Sequence, residues 1–252
     1  MRQGSWMRRV MGTVLVFFGM LAPAHAAEIT VSAAASLREA FTAVQQEFQK
    51  THPDIRVHTN FAASNPLLKQ LQEGAPVDVF ASADQETMDK AAKSKVIIPS
   101  SRKNFVVNSL VLIVPAKSTV RGLEDLRTDA VKRIAIGSPE SVPAGRYARQ
   151  SLQSTKMWDA LQAKFVMGES VRQVLDYVAR GEVDAGFVYM TDALQSAPKT
   201  EVRATMSGHS PVIYPIAIAA KSANVPAAKA FVAFVCSDAG QAILAKYGFK
   251  KP

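Results

Sequence analysis

The chain has 252 residues, 48% hydrophobic and 20% charged, a formal charge of +9 and one cysteine, the composition of a globular protein rather than a disordered one. A single cysteine excludes an intramolecular disulfide and a thiolate metal cluster. The Lys and Arg residues are scattered, with no basic block and no interleaved aromatics, which argues against nucleic-acid binding.

Residues 1–26 read as a cleavable export signal: Arg2, Arg8 and Arg9, an apolar run from Val10 to Leu21, then small residues in "AHA" ending at Ala26. "RRVMG" lacks the rest of a twin-arginine pattern, so ordinary secretion is expected. The run is shorter than the roughly 20 apolar residues a bilayer crossing takes, and no later stretch reaches that length. Cleavage leaves about 226 residues and lowers the formal charge from +9 to +6, because three arginines and no acids are removed. The mature chain is expected to be soluble, without a membrane anchor, and periplasmic, since an unanchored carrier would otherwise diffuse away. Cys236 lies far from the cleavage site, which rules out lipid attachment there.

Strand and helix alternate from residue 27. "EITVSA" predicts a strand, and Leu37, Ala40, Phe41, Val44 and Phe48 recur at helical spacing after it. "IRVHTNFAA" is a second strand, "PLLKQLQEG" a helix stopped by Gly74, and "VDVFASA" a third strand. "SLVLIVPA" and "RIAIGSPE" are further strands, and "VRQVLDYVARG" is an amphipathic helix with Val171, Val174, Leu175 and Val178 on one face. "DAGFVYM" and "YPIAIAA" are strands, and two helices close the chain through "AKAFVAFVC" and "AGQAILAKYG". Cys236 falls in the first of these, where a small buried residue is expected. Alternation of this kind predicts βαβ units and an α/β fold with mostly parallel sheets flanked by helices.

Two segments repeat one plan. "LLKQLQEGAPVDVFASADQ" and "VRQVLDYVARGEVDAGFVYMTDA" each run helix, glycine, turn, Asp, buried strand, polar stop. Two lobes of like build are therefore expected, 27–107 plus 213–252 in one and 108–212 in the other, with the chain crossing between them twice.

Several strand ends offer hydrogen-bond donors. Ser36 follows the small stretch Ala33 to Ala35 at a strand-to-helix junction, where it can cap the helix or face an anion together with the free N–H groups of the first turn. Ser64 repeats the arrangement, with Asn65 and Pro66 reading as a cap followed by proline at the first helical position. In the second half, Pro143, Ala144 and Gly145 open a helix with small side chains, and Val171 opens another, where its N–H is one of the unpaired donors of any helix start. Tyr189 ends the strand "GFVYM", as a core tyrosine or as a hydroxyl aimed into a cleft.

"AAASLREAF", "GAPVDVFASAD", "NSLVLIVP", "PESVPAGRYA", "VDAGFVYMTDA" and the terminal "KYGF" together resemble the periplasmic molybdate-binding proteins of bacterial ABC transporters, in order and over nearly the whole mature chain. The resemblance implies a two-lobe periplasmic binding protein fold, with the ligand in the cleft between lobes and held by neutral donors alone. Carried over by motif, the oxyanion donors are Ser36, Ser64, Ala144, Val171 and Tyr189. That family often has a longer serine-rich run where Asn65 and Pro66 follow Ser64 here, so which group of this loop donates stays open. The resemblance further implies molybdate or tungstate as ligand, and a membrane permease with its ATPase as partners. No cofactor, no protein-coordinated metal cation and no catalytic residue are expected, and a monomer is the expected state.

The chemistry agrees with donors only. Molybdate is a tetrahedral dianion without a proton near neutral pH, so it only accepts hydrogen bonds, whereas phosphate keeps a proton and favours a site with an acceptor. Helix N-termini can each stabilise such an ion by up to about 2 kcal/mol in buried geometry. Sulfate shares the charge and shape, leaving cavity size to discriminate. Arg38, Arg146 and Arg172 lie near the motifs inside helices and are expected on solvated faces, where they would steer anions inward.

An enzyme is disfavoured: His52, His58 and His209 have no metal-ligand spacing, there is no GxSxG elbow, and no base can be named for Ser36. A carrier for another oxyanion or a small organic anion is the remaining alternative, although an organic acid calls for an arginine on its carboxylate and none occupies a motif position.

Overall fold

A computed structural model describes residues 26–252; the expected export signal lies outside the described residues except for Ala26. In chain order the elements are β1 (Ala27–Ala34), α1 (Arg38–Thr51), β2 (Ile55–Ala62), α2 (Ser64–Gln72), β3 (Val79–Ala81), α3 (Gln85–Lys93), β4 (Lys103–Val107) and β5 (Leu110–Pro115). They continue with β6 (Ile134–Gly137), α4 (Pro143–Ser154), α5 (Trp158–Leu161), β7 (Phe165–Gly168), α6 (Val171–Ala179), β8 (Ala185–Tyr189) and α7 (Met190–Ser196). The chain ends with β9 (Thr200–Thr205), β10 (Ile213–Ile218), α8 (Val225–Cys236) and α9 (Asp238–Lys246).

The strands form two five-stranded sheets, in the orders β2-β1-β3-β10-β4 and β7-β6-β8-β5-β9. In the first, β1 is parallel to β2 and β3, and β10 runs against both β3 and β4. In the second, β6 is parallel to β7 and β8, and β5 runs against β8 and β9. Four strands of each sheet thus share a direction and one opposes them, so the α/β architecture is mostly parallel. The reversed strand is fourth in both orders, and each is reached by a crossover from the other sheet: β4 leads to β5, and β9 leads to β10. The repeated helix-strand segments are α2–β3 and α6–β8, which occupy the same place in the two sheets.

The helical faces form as periodicity dictates. Ala40, Phe41, Val44 and Phe48 of α1 are buried, as are Leu67, Leu68 and Leu71 of α2 and Val171, Val174, Leu175 and Val178 of α6. Gly74, with φ of 92°, follows α2 in the left-handed conformation that ends helices cheaply. Phe48 and Phe231 meet edge to face at 5.3 Å, and Phe41 packs on Phe105 at 5.7 Å, which seats α1 and α8 on the first sheet. Fully burying a side chain of this kind stabilises the fold by about 1.5–3 kcal/mol.

Three expectations about local structure are corrected. Cys236 is exposed, because α8 turns Ala228, Phe231, Val232 and Val235 inward and leaves its last residue outside. Asn65 is not a cap: α2 starts at Ser64 with Ala63 before it, so Pro66 is the third helical residue, where its missing N–H is still harmless. The edge strands β4, β7 and β9 and the helices α3, α5 and α7 are elements that periodicity did not reveal. Among the described residues no single helix is long and apolar enough to cross a membrane.

Candidate functional site

All five predicted donor positions line one small cavity, with a free volume of about 10 Å³. The site therefore suits something compact. Ala34, Ala35, Ser36, Ala63, Ser64 and Ala83 come from the side of the first sheet, and Val142, Pro143, Ala144, Val171 and Tyr189 from the second. Every one of these side chains is uncharged.

Topology explains why distant residues converge. Ser36 follows β1 and Ala144 follows β6, the second strands in the two orders; Ser64 follows β2 and Val171 follows β7, the first strands. Tyr189 is the last residue of β8, the third strand. The carboxyl ends of parallel strands are where α/β sheets present ligand sites, because helix N-termini gather there. Here two sheets of like order point those ends at each other.

Each position has a local cause. The short turn Ala35–Leu37 holds Ser36 ahead of α1, and its alanines keep the backbone accessible. Ser64 is the first residue of α2, which has no side-chain cap, and its Oγ accepts the Ala83 N–H at 3.0 Å, leaving its own proton to donate elsewhere. Ala144 lies in the uncapped first turn of α4. That turn can sit against the end of β6 only because residue 145 is glycine: a Cβ there would lie 1.9 Å from the Gly137 carbonyl oxygen. In α6 the N-cap Ser170 satisfies the Gln173 N–H at 3.2 Å, and Val171 contributes the first N–H of the helix. The Tyr189 hydroxyl is buried with no hydrogen-bond partner among the described residues. Burial pushes its phenol well above the ordinary value, so it stays protonated.

A buried hydroxyl without a partner costs stability, and four helix starts aimed into a small, neutral space concentrate positive potential. Together they make a site for a small anion that accepts hydrogen bonds from every side. A wider groove along α8, lined by Ile98, Lys103, Ile218, Val225, Lys229 and Val232 among others, lies away from these strand ends and contains none of the unpartnered buried polar atoms.

The arginines do not behave as expected. Arg146 is buried, donating through Nε to Asp84 Oδ2 at 3.0 Å and through Nη2 to Thr87 Oγ1 at 2.9 Å. Arg172 pairs with Glu39, and its Nε lies 3.2 Å from Asp192 Oδ1. Their charge is spent on carboxylates, which corrects the expectation of solvated, anion-steering side chains. Arg38 alone is exposed, with its guanidinium 4.9 Å from the centre of the Phe61 ring.

The arginine pairs and the hydrogen bond from Asn65 Nδ2 to the Glu140 carbonyl, at 2.8 Å, join helices of the first sheet to those of the second on both flanks of the cavity. None of these partners is marked in the sequence, since Asp84, Glu39 and Glu140 look like ordinary surface acids.

Two sheets of one topology, closed over a small neutral cavity lined by helix starts and hydroxyls, define the class of two-lobe solute-binding proteins. Residues 29–250 match the family of bacterial extracellular solute-binding proteins, and the chain belongs to that family. It is 36% identical to the molybdate-binding protein ModA of Escherichia coli (strain K12), over 97% of this chain and 98% of that protein. It is 35% identical to the molybdate-binding protein ModA of Haemophilus influenzae, over 90% of this chain and 91% of that one. Among solved structures, the periplasmic molybdate-binding protein of Azotobacter vinelandii shares the fold, with a TM-score of 0.79 at 24% identity over 89% of this chain and 99% of that chain.

Proposed function

We propose that this chain is the periplasmic component of a molybdate transporter: it captures molybdate, and tungstate as well, and delivers the ion to an ABC permease driven by its ATPase. The observation that carries the reading is the neutral cavity whose open valences are donors, the unpartnered Tyr189 hydroxyl above all. Ser36, Ser64 and Tyr189 donate hydroxyl protons, and Ala144 and Val171 donate backbone N–H groups. Residues 27–107 with 213–252 act as one lobe and 108–212 as the other, closing on the ion. The likeness to two proteins named as molybdate-binding, over almost their full lengths, supports the ligand class. Residues 1–26 direct export, the mature protein works as a monomer, and binding rather than catalysis is its task. It needs no cofactor and no coordinated cation, because molybdenum arrives as the oxyanion.

The deciding experiment is the melting temperature of residues 27–252 with excess molybdate, tungstate, sulfate and phosphate in turn. At about a thousand times the dissociation constant, binding adds roughly 4 kcal/mol, on the order of 8–16 °C for a chain of this size. A shift of that order with molybdate and tungstate alone is the expected result. A shift with sulfate instead would make it a carrier for another oxyanion, and a shift with none of the four would overturn the ligand assignment.

A further inference from the structure

Two residues outside the cavity lining govern what Ser36 can do. Its Oγ lies 2.9 Å from the Tyr214 hydroxyl in a fully buried contact, and geometry alone allows either oxygen to donate. The neighbours of Tyr214 remove that freedom. The Ser109 N–H, which can only donate, points at Asn108 Oδ1 at 2.9 Å. Asn108 therefore presents its NH2 group to Thr191 Oγ1 at 2.9 Å and, in a longer contact of 3.4 Å, to the Tyr214 hydroxyl oxygen. The Asn108 NH2 offers no acceptor, so Ser36 Oγ is the acceptor among the hydrogen-bond partners of Tyr214, and a proton directed from Tyr214 to Ser36 is the arrangement that leaves the Tyr214 proton partnered. A hydroxyl carries one proton and two lone pairs, so Ser36 keeps its proton for the cavity.

Tyr214 is held rigidly for this. It is fully buried, with its ring edge-on to Phe105 at 6.5 Å, Tyr189 at 5.7 Å and Phe249 at 5.5 Å. Burial also raises its phenol well above the ordinary value, so the proton stays on. Asn108 lies on the crossover from β4 to β5 and Tyr214 is the second residue of β10, just past the other crossover, to which Asn108 is tied by its N–H to the Val212 carbonyl at 3.0 Å. Ser64 reaches the same end by a simpler route, because the Ala83 N–H occupies its oxygen.

We propose that Tyr214 and Asn108 are positioning residues that make Ser36 an obligate donor and so bias the site against oxyanions that carry a proton. The inference rests on the oxyanion-binding reading above. At Ser36 and Ser64 one lone pair is already taken, by Tyr214 and by the Ala83 N–H, so accepting a ligand proton as well would leave the serine's own proton without a partner. Tyr189 is the lining hydroxyl whose direction is left free, and using it as an acceptor forfeits its donation.

Two variants test this, Tyr214→Phe and Asn108→Asp, in mildly alkaline buffer where molybdate and hydrogen phosphate are both dianions. Molybdate affinity is read by calorimetry, phosphate affinity by competition against molybdate, and folding by circular dichroism. Tyr214→Phe frees Ser36 to accept. Asn108→Asp keeps the side-chain volume but draws the Tyr214 proton to its carboxylate, so that Ser36 must donate to Tyr214. The added charge penalises both dianions alike, so the affinity ratio isolates the direction of the hydrogen bonds.

The expected result is a preference for molybdate over phosphate that falls by about tenfold or more in each variant. If phosphate gains nothing relative to molybdate in either variant, Tyr214 only packs and the proposal is overturned. Failure of the unaltered protein to bind molybdate would count against the function reading instead.

Discussion

Arg146 and Asp84 meet at the edge of the cavity, one from α4 and the other from the N-cap of α3, with side chains only 9% and 5% exposed. They tie the helices of one sheet to those of the other, and Asp84 at the same time caps α3 by accepting the Thr87 N–H at 3.1 Å. Breaking a buried pair on one side leaves an uncompensated charge, at a cost of roughly 3–5 kcal/mol while the site stays dry. Opening the cleft lets water reach Asp84 and relieves that cost. Arg146→Met is therefore expected to favour an open molecule, seen as a larger radius of gyration in solution scattering. Molybdate release should be at least about tenfold faster, a factor that takes only ~1.4 kcal/mol. Unchanged scattering and unchanged release would show that the pair does not hold the two halves together.

Tyr189→Phe removes a donor that has no protein partner. Its loss from a dry, charged complex should weaken molybdate binding by roughly 1.5–3 kcal/mol. The ligand-free protein should melt no lower, because an unsatisfied buried hydroxyl has been deleted. Paired calorimetry and thermal denaturation check both halves; a drop in stability with unaltered affinity would make Tyr189 a core residue.

Ser64→Ala should behave differently, because the Ser64 hydroxyl also satisfies the buried Ala83 N–H. Removing it strands that donor at about 1–3 kcal/mol of folding stability, in addition to the loss of one ligand hydrogen bond. Urea denaturation without ligand separates the two effects, and the expected order of stability is Tyr189→Phe above Ser64→Ala.

Asp192 makes stability depend on pH. Desolvation raises its carboxyl from 3.8 to about 6, opposed by the nearby Arg172 guanidinium. A raised acid binds its proton more tightly in the folded than in the unfolded chain, so its contribution is fully present below 3.8 and is lost as pH rises through about 6. The shift corresponds to something on the order of 2–3 kcal/mol. Asp192→Asn should therefore gain stability relative to the unaltered protein across that window, read as the difference between their unfolding midpoints at each pH. A difference that is flat with pH would mean Asp192 titrates normally.

Much of the architecture was legible in the sequence because inner strands and packed helices have to be periodic. β1, β3, β5, β6, β8 and β10 are flanked on both sides within their sheets, and their apolar runs stand out for that reason. β2, β4, β7 and β9 are edges, and β2 was legible because its eight residues begin with a clear alternation of buried and exposed side chains. "KNFVV" and "TEVRAT" mix charged residues with apolar ones because one side of an edge needs no partner strand, and that mixture hides them. Helix starts carrying small residues and hydroxyls were visible one at a time at residues 36, 64, 144 and 171.

The sequence by itself determined the inner strands and most of the packed helices, which faces they bury, and that several strand ends would carry neutral donors. Local pattern suffices for this because periodicity and helix starts are properties of neighbouring residues. Tertiary structure alone decided that five such points enclose one small cavity, that Arg146 and Arg172 are spent on carboxylates, and that Cys236 faces outward. It alone decided which way the Ser36 proton points. Ser36 and Tyr214 are 178 positions apart and Asp84 and Arg146 are 62 apart, and the direction of a hydrogen bond or the partner of a charge is set by whatever group folding brings within about 3 Å.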